Sequence, residues 1–228
     1  MPEGIWQRKM ENINKTVSFK DYVIVACGTL SLELNHLREA GVLDALKILY
    51  TKPGGHQVPG ELEIDLIAQI KIAKEIARNI IVVYGGTFCY VNIENPRRTI
   101  DTIIQEQIEP GFRITRINST HCIDMLASEE ERARISEGKD IYWLTPGWMA
   151  YRHLCYRGWD KTIANENFPR HTGGASILDA VGYYDQTAQS DPEKLLDFSD
   201  WMGIPLDPHQ VTLERLSGLL LEQVKTEN

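Results

Sequence analysis

Short β-branched runs ended by glycine or proline alternate with longer stretches of helical periodicity, and no other feature of this 228-residue chain limits its fold so strongly. Residues 22–27, Tyr-Val-Ile-Val-Ala-Cys closed by Gly28, read as a buried strand. Leu30, Leu34 and Leu37 then recur at helical spacing until Gly41 supplies a stop. A second apolar run over 45–50 ends at Pro53, Gly54 and Gly55, and Leu62, Leu66, Ile70, Ala73 and Ala77 mark the next helix. Residues 80–84 are the clearest strand, ended by Gly85 and Gly86. A helix over 96–108, a strand over 112–117, a helix over 121–136 and a strand over 141–144 continue the pattern. Residues 177–184 read as a sixth strand or a short helix, and helices opening at Pro192 and spanning 211–224 close the chain. The expected fold is α/β: an open, mainly parallel, Rossmann-like sheet of five or six strands with helices on both faces. The expected organisation is an N-terminal arm over 1–20 and one domain over 21–228, with a C-terminal helical extension from about residue 185. The glycines at 173 and 174 mark the natural place to set that extension apart.

Composition narrows the function classes. Hydrophobic residues at 43% and charged residues at 25% exclude disordered and collagenous chains. A net charge of −8 argues against general nucleic-acid binding, which needs clustered Lys and Arg to neutralise phosphates. The N-terminal residues lack an apolar run of signal-peptide length, and the runs at 22–27 and 80–84 are too short to cross a bilayer. The expected compartment is the reducing cytoplasm, with no membrane partner. Four cysteines are too few for a disulfide scaffold, and there they are free, metal-bound or catalytic.

Ligands of open parallel sheets bind outside the carboxyl ends of the strands. Cys27 ends the first strand, Cys89 follows the third by five residues, and His121-Cys122 follows the fourth. Thiolate and imidazole are ligands for zinc or iron, so Cys27, Cys89, Cys122 and His121 form the candidate metal set. The opposing reading makes Cys27 and Cys122 small buried hydrophobes. Cys122 falls in the expected first turn of a helix, where the dipole lowers a thiol pKa, and Asp124 is placed to orient a ligand. His56, in the loop after the second strand, is a reserve ligand.

Other positions divide between binding and packing. Gly85 and Gly86 suit either a cofactor approached through backbone N–H groups or a tight turn. Trp148, after Thr145-Pro146-Gly147, either walls a pocket or closes the core. His153 and Cys155 lie two apart on a helix, on different faces, which favours packing. His36 and His209 read as solvated. No Ser-His-Asp order, phosphate loop or HExxH helix is present.

Ala26-Cys27-Gly28 before a leucine-rich helix, Tyr84-Gly85 followed by Cys89, Cys122 opening a helix, and the run Tyr142-Trp143-Leu144-Thr145-Pro146-Gly147-Trp148 together resemble the DUF1638 family of prokaryotic proteins. The similarity covers about residues 22–184. The resemblance implies that Cys27, Cys89 and Cys122 belong to one site and leaves Cys155 outside it. Two features depart from the family pattern: Cys89 lies later after Tyr-Gly, and His121 stands where the family has Asp. The family context implies anaerobic and methanogenic organisms and corrinoid-dependent methyl transfer, and a corrinoid enters only through it.

The expected function is a metal-binding protein whose zinc or iron site is built from three cysteines and one histidine. If it is an enzyme, it is a metal-dependent transferase in methyl-transfer or one-carbon metabolism. The alternative is a non-catalytic accessory or cofactor-handling protein of a corrinoid/methyltransferase system, with Tyr151, Tyr156 and Trp159 against the partner. The expected partners are a small-molecule substrate or a corrinoid or methyltransferase protein, with a homo-oligomer left open.

Overall fold

The computed structural model describes residues 17–86, 89, 91–92, 95 and 97–224. Most of the N-terminal arm, Thr87, Phe88, Tyr90, Pro96 (expected to open a helix) and the side chain of His56 lie outside the described residues. The first half contains β1 (Tyr22–Ala26), α1 (Ser31–Glu39), β2 (Lys47–Tyr50), α2 (Pro59–Ile76), β3 (Asn79–Val83), α3 (Ile100–Gln107) and β4 (Arg113–Arg116). After α4 (Glu129–Ser136) come β5 (Tyr142–Leu144), α5 (Pro146–Ala150), α6 (Arg152–Cys155) and α7 (Lys161–Asn167). The chain ends with β6 (Ala175–Asp179), α8 (Tyr183–Ser190), α9 (Pro192–Met202), β7 (Leu206–Gln210) and α10 (Glu214–Leu221).

The strands form two parallel sheets, β2-β1-β3-β4 and β5-β6-β7, rather than one sheet of five or six strands. Strand alternation reveals that βαβ units exist but not which strand each one rejoins. A crossover helix returns a strand to its sheet by burying an apolar face on it. The α4 sequence, Glu-Glu-Glu-Arg-Ala-Arg-Ile-Ser, has no buried residue, and β5 pairs with β6 instead of β4. The segment after residue 185, read as helical, also contains β7, which pairs with β6 along its full length. Leu-Asp-Pro-His-Gln carries no apolar run, and its Pro208 is tolerated because β7 is an edge strand.

Period-two alternation sorts the first sheet into its two cores. Val23, Val25, Ile80 and Val82 pack with Leu62, Leu66 and Ile70 of α2 and with Ile100, Ile103 and Ile104 of α3. Ile24, Ala26, Ile81 and Val83 pack with Leu30, Leu34 and Leu37 and with Leu216, Leu219 and Leu220 of the distant α10. Leu178 of β6 joins this second cluster, so the two sheets share a core. A third cluster around Ile177, Tyr156, Phe168 and Trp201 covers the other side of the second sheet.

The expected helix over 121–136 is interrupted: Cys122–Met125 is a 3-10 turn, and α4 begins afresh at Glu129. Ser128 and Glu131 close a capping box, Ser128 accepting from the Glu131 N–H at 3.2 Å and donating its own N–H to the Glu131 carboxylate at 2.7 Å. That box satisfies the first amides of a new helix, so one continuous helix is not formed. Among the described residues, no helix is long and apolar enough to cross a membrane.

Candidate functional site: thiols at the strand ends

The site is built where the first sheet's strands end and the first turns of the second half meet them. The ladder runs on past each strand: Cys27 N–H donates to Val83 O at 3.2 Å, and Thr51 N–H to Ala26 O at 3.0 Å. The chain then leaves β1 in a 3-10 turn at Gly28–Leu30. A Cβ on Gly28 would lie 2.4 Å from Thr51 O, and one on Gly147 would lie 1.9 Å from Thr29 O. Glycine is required at both positions because the backbones themselves are in contact.

Gly85 has the same explanation, whereas Gly86 meets only a side chain. A Cβ on Gly85 would lie 2.5 Å from the His121 Cα, and one on Gly86 2.8 Å from the Arg116 guanidinium. These glycines let the turn after β3 close against the turn after β4. Arg116 staples that closure, donating to the carbonyls of Tyr84, Ile117 and Ser119 and to both Asp101 carboxylate oxygens.

This packing brings Cys27, Cys89 and Cys122 within electrostatic reach of one another: Cys27 acts on Cys89, and both act on Cys122. The Cys27 sulfur lies 3.0 Å from Thr29 Oγ1, and the buried Tyr84 hydroxyl bonds both Thr51 Oγ1 and Cys27. The Trp148 side chain hydrogen-bonds Cys122 and stacks at 5.4 Å on Tyr156. Trp148 therefore contacts the thiol site and also closes the third core.

Burial dominates the electrostatics. It pushes the Cys27 thiol up against the opposing hydrogen bonds from Thr29. Burial first, then the neighbouring Cys27, raises Cys89 to about 12. Cys122 is raised by burial and then by the other two cysteines, opposite to the lowering expected from a helix dipole. The expected helix start is a four-residue 3-10 turn, whose aligned peptides are too few to offset desolvation.

His121 caps this turn, with Nδ1 accepting the Asp124 N–H at 3.2 Å. Burial lowers its pKa, and the charges acting on it most strongly are Asp124, Arg132 and Glu129. The Asp124 carboxylate lies 3.6 Å from His121 Nδ1 and receives Arg132 Nη1 at 2.6 Å. Cys155 is fully buried in the third core, and burial raises it to about 12. Tyr156, expected at a partner surface, is only 4% exposed and lies among Trp148, Trp159, Phe168 and Trp201. Among the described residues, no three His, Cys, Asp or Glu side chains already stand together in metal-coordinating positions.

Sequence reasoning passed over two acids. Glu33, in the first turn of α1, is 0% exposed, and neither carboxyl oxygen has a hydrogen-bond partner. Its own main-chain N–H acts on the carboxyl, but not at hydrogen-bonding geometry. Burial, with a smaller contribution from the Asp179 charge, raises Glu33 to about 8. Asp179, at the end of β6, is 3% exposed and accepts the N–H groups of Val181, Tyr183 and Tyr184 at 3.0, 3.1 and 2.8 Å. The signal for Glu33 was present: it lies with Leu30, Leu34 and Leu37 on the apolar face of the helix, where an acid is out of place.

A groove of about 950 Å³ lies elsewhere, between α4 and α10, lined by Glu131, Arg134, His209 and Arg215 among others. It contains none of the cysteines. With the site's geometry described, comparison with known proteins places the chain: a family model described as a protein of unknown function (DUF1638) matches residues 50–220, most of its length. The chain belongs to the DUF1638 family. No curated protein and no solved structure matches it. In this DUF1638 member, Cys89 and Cys122 fall inside the matched segment, whereas Cys27 and Glu33 precede it.

Proposed function

We propose that this DUF1638 protein binds zinc or iron through Cys27, Cys89 and Cys122, with His121 beside them. One observation carries the reading: burial raises three thiols from three separate strand ends, and Cys27 and Cys89 are near enough for their charges to raise Cys122 further. Keeping three thiols there as thiolates is costly in the absence of a cation, and soft sulfur donors select zinc or iron when one is present. Each thiol would turn about its single side-chain torsion to close on the ion, and binding would release protons to solvent.

A bound metal would supply Lewis-acid activation or hold a thiolate acceptor, which suits a transferase of methyl or other one-carbon groups. The protein's part is to shield the centre, with Trp148 over Cys122 and the Gly85–Gly86 turn closed by Arg116. The test is elemental analysis of anaerobically purified protein beside Cys27→Ala, Cys89→Ala and Cys122→Ala. Stoichiometric zinc or iron that falls by more than half in all three variants is the expected result. Wild type that stays metal-free after loading, with four titratable thiols, overturns the reading. Bound metal without turnover of candidate methyl donors would assign the accessory role beside a corrinoid methyltransferase.

A further inference from the structure

We infer that the outer face of α2 is a dimer surface, on which a second copy of this chain packs antiparallel about a two-fold axis at Ala68. A surface helix ordinarily buries one apolar stripe and turns polar residues to the opposite side. α2 buries Leu62, Leu66, Ile70 and Ala73 in the core it shares with the first sheet. It carries a second apolar row on its exposed side: Ile64, Ala68, Ile72 and Ile76, each four residues from the next. Ile64 is 69% exposed, Ile72 40% and Ile76 38%. Singly exposed apolar side chains are common on protein surfaces. Leu196 of α9, also 69% exposed, is of that kind, with Glu193 and Asp200 at the neighbouring helical positions. The row on α2 differs because it is a continuous ridge.

The ridge is self-complementary in shape and in charge. Side chains spaced by four form the rows that mesh when two helices cross at about −50°, and small side chains at the crossing shorten the distance between the axes. Ala68 is the small member of the row, flanked by Ile64 and Ile72. In a two-fold contact, residue i of one copy meets residue j of the other, and j meets i. An axis at Ala68 sets Ala68 against its own copy, Ile64 against Ile72 and Asp65 against Lys71, the last two pairs occurring twice. Apolar residues thus meet apolar ones, and acid meets base.

The charges needed for that match are available. Lys71 is exposed, and Asp65 gives one oxygen to the Lys52 N–H at 3.4 Å. The flank toward α3 is already neutralised within the chain, Glu63 by Arg98 at 2.7 Å and Lys74 by Glu109 at 2.5 Å. The same axis relates Glu61 to Glu75. These lie about 10 Å along the helix from the crossing, where inclined helices have diverged. Glu61 is also paired with Arg157 at 3.0 Å. One pair of crossed helices makes a small interface, so the expected dimer is weak, with a dissociation constant of about 1–100 µM. The inference goes beyond the thiol-site reading and does not depend on it.

The experiment is sedimentation equilibrium of the full chain over a concentration range of about 1–300 µM. Wild type is expected to pass from monomer to dimer. Asp65→Lys and Lys71→Asp each place like charges across the axis twice, and each should raise the dissociation constant about tenfold or more. An equimolar mixture of these two variants regains both attractive pairs and should associate as wild type does. Ala68→Glu, with a charge at the crossing, should remain monomeric, whereas Leu196→Ser on α9 should behave as wild type. Circular dichroism shows that each variant is folded before sedimentation. Wild type that stays monomeric throughout overturns the inference. A dimer that Ala68→Glu leaves intact also overturns it, as does a mixture of the two charge variants that associates no better than either alone.

Discussion

Desolvation favours the neutral form of a carboxyl group, and the nearby Asp179 charge acts in the same direction on Glu33. In metal-free protein the native state therefore holds a proton up to about pH 8 that the unfolded chain releases near 4.5. Between those values the folded state binds more protons than the unfolded one, so stability falls as pH rises and levels off above about 8. The slope from this one group is about 1.4 kcal/mol per pH unit. Urea unfolding of wild type and Glu33→Gln at pH 5, 6.5 and 8 isolates it from other titrating groups. The variant should gain on wild type by a few kcal/mol across that range. Parallel pH profiles would show that Glu33 is ionised in the fold. The same residue explains part of what could be read in advance. Cys27, Cys89 and Cys122 are identifiable by their order relative to strand ends, which is local information. Glu33 was hidden among leucines because its lack of a partner is a property of the neighbours that the fold brings around it.

At the scale of elements, the turns after β1 and β3 are held by close backbone contact as well as by the Arg116 side chain. The first turn of α5 presses on the turn after β1 so closely that a Cβ at Gly147 would lie 1.9 Å from Thr29 O. Main chain cannot yield as a flexible side chain can, so Gly147→Ala should cost roughly 3 kcal/mol through overpacking. Gly218, inside α10, is the matched control, with open space where its Cβ would be. Gly218→Ala should instead stabilise by about 0.5–1 kcal/mol, by helix propensity and reduced unfolded-state entropy. Thermal unfolding of the two variants side by side checks both signs, and equal effects would contradict the contact. The helix–strand alternation around these turns was legible because the glycines and prolines ending each run are local signals. The break at Ser128 was not, since a run of charges with scattered apolar residues reads as helix on either side of it.

For the whole molecule, the decisive feature is that α10 returns from the end of the chain to cover the first sheet. Leu216 is fully buried there with Ile24, Ile81 and Leu34, while Leu178 of the second sheet lies in the same cluster. Four of the five tryptophans, at 143, 148, 159 and 201, belong to the second half, so the fluorescence reports mainly on it. Leu216→Ala should cost about 3 kcal/mol. If the core is shared, its midpoints by tryptophan fluorescence and by far-ultraviolet circular dichroism should fall together. Separate midpoints would mean that the two sheets unfold independently.

Sequence by itself determined the α/β class, the parallel character of the strands, most element positions and the placing of Cys27, Cys89 and Cys122 after three strand ends. These follow from side-chain periodicity and turn chemistry, which act over a few residues. Only the tertiary structure decided that the strands divide into two sheets, that β7 exists, and that Cys122 is raised rather than lowered in pKa. It also decided that Glu33 is buried with no hydrogen-bond partner for either carboxyl oxygen. Each of these depends on which distant segments meet: α4 has no apolar face to return β5 to the first sheet, and desolvation is set by neighbours far away in the chain.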